Sequence, residues 1–131
     1  MSRAGLPALL GLRIQGEKIV GYLLNPTHPK GGSKAKFLLR FGFSADQPNI
    51  LADALVSHYV SAPDAQMIFD AVGSRRIVCE GPIKGVDGRE LWIRSVWLIE
   101  EDLYGRLLTV IPLPARRNAS SKFSVSGPKT P

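Results

Sequence analysis

Apolar residues recur at helical spacing through the first half of the chain and in strand-like alternation through the second. Leu12 and Ile14 alternate with Arg13 and Gln15, which allows a short strand in a lead-in from Met1 to Gly16. Ile19, Val20, Leu23 and Leu24 predict a helix over 17–24, stopped by Asn25-Pro26. A loop follows to Gly32. Ser33 is then read as the N-cap of a helix from Lys34 to Phe41, with Ala35, Leu38 and Leu39 as its buried stripe and Gly42 as its end. Ile50, Leu51, Ala54, Leu55 and Tyr59 predict a further helix over 49–60, with His58 a half-buried packing residue at the edge of the stripe.

After an ambiguous stretch at 66–71, the residues of 75–83 read as a strand and Val86-Asp87-Gly88 as a hairpin turn. From 89 to 99, large residues occupy both alternating sets, which predicts a central strand covered on both faces over part of its length. Glu100 to Gly105 is an acidic turn, and 106–113 is the last strand, closed by Pro112 and Pro114. The expected fold is α+β: two or three helices packed on one face of a three- to four-stranded antiparallel sheet, whose other face is concave and partly polar. One domain spans 17–113, and 114–131 is expected to be a disordered basic tail.

Charge changes this picture less than the total suggests. The formal charge is +6, but Arg116, Arg117, Lys122 and Lys129 all follow Leu113 and no acidic residue does. The folded body is therefore only mildly basic. Cys79 is the only cysteine, which excludes an internal disulfide and fits a reducing, cytoplasmic setting. No apolar run is long enough to span a bilayer, so no membrane partner is expected.

The stretch from Asn25 to Lys36 concentrates the candidate chemistry. It holds His28, the glycine pair Gly31-Gly32, Ser33, and Lys30, Lys34 and Lys36. A loop delivering a titratable group to the positive end of a helix is a candidate anion site, and a nucleic-acid phosphate is the first anion to consider. Metal ligation is not indicated, because His28, His58 and Cys79 lack ligand spacing. Gly31-Gly32-Ser33-Lys34 is not a phosphate-binding Walker loop, and no Gly-x-Ser-x-Gly elbow occurs. No cofactor is implied.

A metal-independent phosphodiester cut needs a proton-transfer group, cations for the transition-state charge and hydroxyls for orientation. On RNA the adjacent 2′-hydroxyl is the nucleophile. His28 is the candidate acid or base. Lys34, Lys36 and Arg94 are candidate cations, and Ser33, Ser95 and Thr109 candidate hydroxyls. Trp97 or Trp92 could stack a base. Structural roles compete for each: Trp97 as core, Arg94 as a salt-bridge partner of Glu80, and Lys34 as a solvated lysine.

The segments Tyr22-Leu23-Leu24-Asn25-Pro26, His28-Pro29, Gly32-Ser33-Lys34-Ala35, Phe41-Gly42-Phe43, Val96-Trp97-Leu98-Ile99 and Arg106-Leu107-Leu108-Thr109-Val110-Ile111-Pro112 resemble a family of small bacterial domains of unknown function. Such domains occur at the ends of polymorphic toxins or beside small antitoxins. The layout is similar to the barnase, EndoU, colicin and RelE-like group of toxin ribonucleases. This resemblance implies an endoribonuclease with catalytic His28, Lys34, Arg94 and Thr109 on the sheet and the adjacent helix start. Ser33, Lys36, Ser95 and Trp97 would bind substrate, and an acidic antitoxin or immunity protein would be the partner beside RNA. The alternative is a non-catalytic RNA- or protein-binding module, in which Ser33 and Lys34 hold an anion and His28 only caps the loop.

Overall fold

Alternation in the second half of the chain becomes a meander of long strands. The computed structural model describes residues 5–114. Of the tail expected at 114–131, all but Pro114 lies outside them. The strands are β1 (Gly11–Arg13), β2 (Asp64–Phe69), β3 (Arg75–Lys84), β4 (Glu90–Ile99) and β5 (Tyr104–Pro112), in the sheet order β1-β5-β4-β3-β2. β2 to β5 pair antiparallel, as expected, and β1 adds a short parallel fifth strand against Tyr104–Arg106. The turn between β3 and β4 uses Gly88 at φ 89°, a conformation that favours glycine.

The first helix, α1 (Gly16–Lys18), continues directly into one π-helical turn over Ile19–Leu23. Its widened turn is closed by the Leu24 N–H donating to the Ile19 carbonyl at 2.8 Å. That turn buries Ile19, Leu23 and Leu24 but leaves Val20 exposed, which corrects the four-residue stripe expected there. α2 (Gly32–Arg40) starts before Ser33. Its N-cap is Gly31, no side chain caps it, and Ser33 is an exposed residue of the first turn. Leu39 also faces outward, so Ala35 and Leu38 alone form the buried stripe of α2. Gly42, at φ 94°, follows its end.

α3 (Pro48–Ser61) lies across β3 and β4. Leu51 and Leu55 join Ile77, Cys79, Ile93, Trp97 and Leu107 in the core, each buried leucine contributing about 2 kcal/mol. His58, read as half-buried, is 1% exposed. Its Nε2 donates to the Gly81 carbonyl at 3.1 Å, which leaves Nδ1 to accept from Ser95 Oγ at 2.9 Å. Trp97 Nε1 donates to the same Ser95 oxygen at 2.9 Å. This arrangement satisfies the hydrogen bonds of three polar groups inside the core.

At the β1 end of the sheet, Arg13 holds Glu100 and Asp102, and Arg106 also reaches Glu100. Hydrogen bonds from Arg106 and then Arg13 lower the Glu100 pKa, and the bond from Arg13 lowers that of Asp102. Carboxylates lowered in the folded state stabilise it above their unfolded values of about 4, and lose that contribution as pH falls through the folded values. Arg13→Ala is therefore expected to flatten the acid side of a melting temperature–pH curve. An acid limb as steep as wild type would show the cluster to be inert.

Candidate functional site

The π turn delivers Tyr22 to the start of α2, where the candidate residues gather. Lys34 Nζ donates to Tyr22 Oη at 3.0 Å and to Thr109 Oγ1 at 2.9 Å, and the two hydroxyls are 3.3 Å apart. Three side chains from the π turn, α2 and β5 thus form one hydrogen-bonded triangle, half-buried. The Tyr22 ring is the hub. His28 meets it edge-on at 4.9 Å between centroids. Lys18 Nζ lies 5.2 Å from the ring centroid and Lys34 Nζ 5.4 Å, both at cation–π distance.

Gly31 makes room for this ring. A Cβ at Gly31 would sit 2.7 Å from Tyr22 Cε1. Burial alone would raise the Tyr22 pKa, but the hydrogen bonds from Lys34 and Thr109 and the charges of Lys34 and Lys18 outweigh it, so the net shift is downward. Gln15, Glu17, Lys18, Gly21, Tyr22 and His28 line a hollow of about 490 Å³ beside the triangle.

His28 has a defined tautomer. Its Nδ1 accepts the backbone N–H groups of Lys30 and Gly31, each at 3.0 Å. The ring proton of the neutral imidazole must then sit on Nε2, leaving His28 as a loop brace with one remaining N–H donor. Serving as acid or base through Nε2 would require a proton on Nδ1, and hence loss of both bonds.

Thr109 is placed by a β-bulge. Val96 pairs with Thr109 and Trp97 with Leu107, so Leu108 is the extra residue. β1 stops at Arg106, leaving the Thr109 stretch of β5 beyond its parallel partner. In this register Thr109 lies opposite Val96, and Val96 and Arg94 both line a second hollow of about 550 Å³ with Asp64, Gln66, Arg76 and Glu80. Arg94 Nε donates to Glu80 Oε2 at 2.6 Å. Arg94 and His28 therefore line different hollows, with Thr109 the strand position between their neighbourhoods. The ion pair with Glu80 is the structural alternative weighed for Arg94 from the sequence.

Ser95 and Trp97, expected as RNA contacts, are each 0% exposed. Both sit in the core and present no surface to a base or phosphate; a third candidate, Trp92, is partly exposed on β4. Ser33 and Lys36 are exposed on α2, beside the triangle in sequence but outside its hydrogen bonds. Tyr22 and Lys18 were missed as site residues. Tyr22 heads the motif that runs through Asn25-Pro26 and His28, which was its one signal in the sequence.

Among the described residues, carboxylate ion pairs engage Arg13, Arg76, Arg89, Arg94 and Arg106, and none engages Lys18, Lys30, Lys34 or Lys36. Arg40, Arg75 and Lys84 also stand outside these pairs, but Lys30, Lys34 and Lys36 fall together at the start of α2, with Lys18 across the Tyr22 ring from Lys34. Among the described residues no His, Cys, Asp and Glu side chains gather as a group able to hold a metal ion, and no helix is long and apolar enough to cross a membrane.

A family described as a domain of unknown function, DUF6883, matches residues 6–114. No curated protein matches the chain. Among solved structures, a chain of a contact-dependent growth inhibition toxin–immunity protein complex from Klebsiella pneumoniae 342 is similar, with a TM-score of 0.60 at 17% identity, covering 76% of this chain and 98% of that one. At this identity the likeness is one of fold.

Proposed function

The chain belongs to the DUF6883 family, and on that premise we infer that it is a toxin-like, metal-independent endoribonuclease, acting in the bacterial cytoplasm and held in check by an acidic immunity protein or antitoxin. The observation that carries this reading is the triangle of Lys34, Tyr22 and Thr109 with His28 against the Tyr22 ring. It gathers an ammonium that no described carboxylate pairs, two hydroxyls and an imidazole around the Tyr22 ring, which lines one hollow together with His28, and these are groups that orient a phosphodiester and stabilise the charge of its cleavage. The fold shared with a chain of a toxin–immunity complex supports the toxin side of the reading and the expectation of a protein partner.

In this reading Lys34 stabilises the charge that develops in the transition state, the His28 Nε2–H holds a non-bridging oxygen of the scissile phosphate, and Thr109 fixes its orientation. Arg94 lies diagonal to Thr109 across the β4–β5 pair, roughly 7–8 Å away along the backbone, where it suits a neighbouring phosphate once Glu80 yields. Ser33 and Lys36, exposed on α2, extend the backbone contact. An inhibitor that covers the lysines at the start of α2 with carboxylates would block all of these contacts together.

A specific observation also favours the binding-module alternative: the Nδ1 bonds of His28 are those of a loop cap. Expression of the full chain in bacterial cells separates the two. The ribonuclease arrests growth with fragmentation of cellular RNA, whereas a module leaves RNA intact.

A further inference from the structure

Proton transfer is the one role that the proposed site leaves unfilled, because the tautomer of His28 commits its Nδ1 to the loop. We propose that Tyr22 is the catalytic base of this site, taking the proton of an RNA 2′-hydroxyl, with Lys34 as the acid that protonates the leaving 5′-oxygen. The inference rests on the ribonuclease reading and deepens it.

Three observations converge on Tyr22. Its hydroxyl is hydrogen-bonded to a lysine that no described carboxylate pairs, at 3.0 Å, and lies 3.3 Å from a second hydroxyl. The backbone provides for the ring, since a side chain at Gly31 would collide with it. The ring itself is carried on a π-helical turn, a local widening that is frequent at functional sites. The charged and titratable groups facing it are Lys18 from α1, His28 from the loop and Lys34 from α2, with Glu17 in the lining of the hollow and no charged group contributed by β5 at Thr109. This surrounding favours the phenolate, in accord with the lowered pKa.

The step balances. The 2′-oxygen bonds to phosphorus as its proton passes to the Tyr22 phenolate. The bond from phosphorus to the 5′-oxygen breaks, and that oxygen takes a proton from the Lys34 ammonium. The products are a 2′,3′-cyclic phosphate and a 5′-hydroxyl. The Tyr22 phenol then returns a proton to the Lys34 amine across their hydrogen bond, restoring the starting pair.

The test compares purified full-length wild type and Tyr22→Phe on total bacterial RNA with a metal chelator present, across pH. Wild-type cleavage is expected to rise about tenfold per pH unit and level off below the ordinary tyrosine value of about 10. Tyr22→Phe keeps the ring, lowers cleavage on the order of 100-fold or more, and loses the rise with pH. A variant that cleaves as fast as wild type, or more slowly with the wild-type pH dependence, overturns the role of Tyr22 and leaves the ribonuclease reading standing. Wild-type protein that cleaves nothing overturns both.

Discussion

On the proposed ribonuclease reading, Lys34→Ala is expected to relieve growth arrest and to lower RNA cleavage by on the order of 10²–10³, with the fold intact. The ammonium is the one group that bonds both Tyr22 and Thr109, so its loss removes the cation from the centre of the site. Stability changes little. The side chain is half-buried, and the two hydroxyls left behind already lie 3.3 Å apart, so the cost of the lost bonds is about 1 kcal/mol. Cleavage rate and melting temperature measured on the same preparation separate the two effects. In a binding module the same change would instead weaken RNA binding and reduce its salt dependence by about one counterion, with no turnover to lose. Toxicity that survives Lys34→Ala removes the site from the mechanism.

Trp97→Ala is expected to cost about 3–5 kcal/mol, a large share of the 5–15 kcal/mol that holds an ordinary domain together. Trp97 is fully buried, packs edge-on against Tyr59 at 5.6 Å, and donates to Ser95. Its removal opens a cavity beneath α3 and takes away one partner of the bonded group that includes His58. Trp97→Phe refills most of the space but leaves Ser95 without the indole N–H, so a smaller loss is expected. Urea unfolding monitored by far-ultraviolet circular dichroism reads both variants. A Trp97→Ala protein as stable as wild type would place this ring outside the core and reopen its role in base stacking.

The regular elements were legible because their periods are strong. The alternation in β4, the Val86-Asp87-Gly88 turn and the apolar spacing of α3 each specify an element locally, and the antiparallel β3–β4–β5 meander follows from the short turns between them. What escaped depends on tertiary contact. β1 is three residues long and exists by pairing with Tyr104–Arg106. The ambiguous 66–71 stretch became part of β2 because Asp64–Phe69 pairs in register with β3. His58 looked peripheral on its helix, yet Gly81 and Ser95 supply partners that only the sheet brings to it.

The site divided in the same way. Lys34 and Thr109 were read from residue type and motif, and they meet. Ser95 and Trp97 sit on the core face of β4, and strand alternation with large residues in both sets could not say which face was covered. Tyr22 reaches Lys34 through an i→i+5 turn, which a 3.6-residue period does not describe. The bulge at Leu108 changes the facing of β5 midway along the strand and has no marker in the sequence.

The proposed activity is cleavage of RNA without a metal by basic and hydroxyl groups gathered around the Tyr22 ring. The most direct measurement incubates the purified full chain with total bacterial RNA in excess chelator and analyses the ends of the fragments. This activity leaves 2′,3′-cyclic phosphate and 5′-hydroxyl ends, which are expected to disappear in Lys34→Ala. Intact RNA, or fragments ending in a 5′-phosphate, would contradict it.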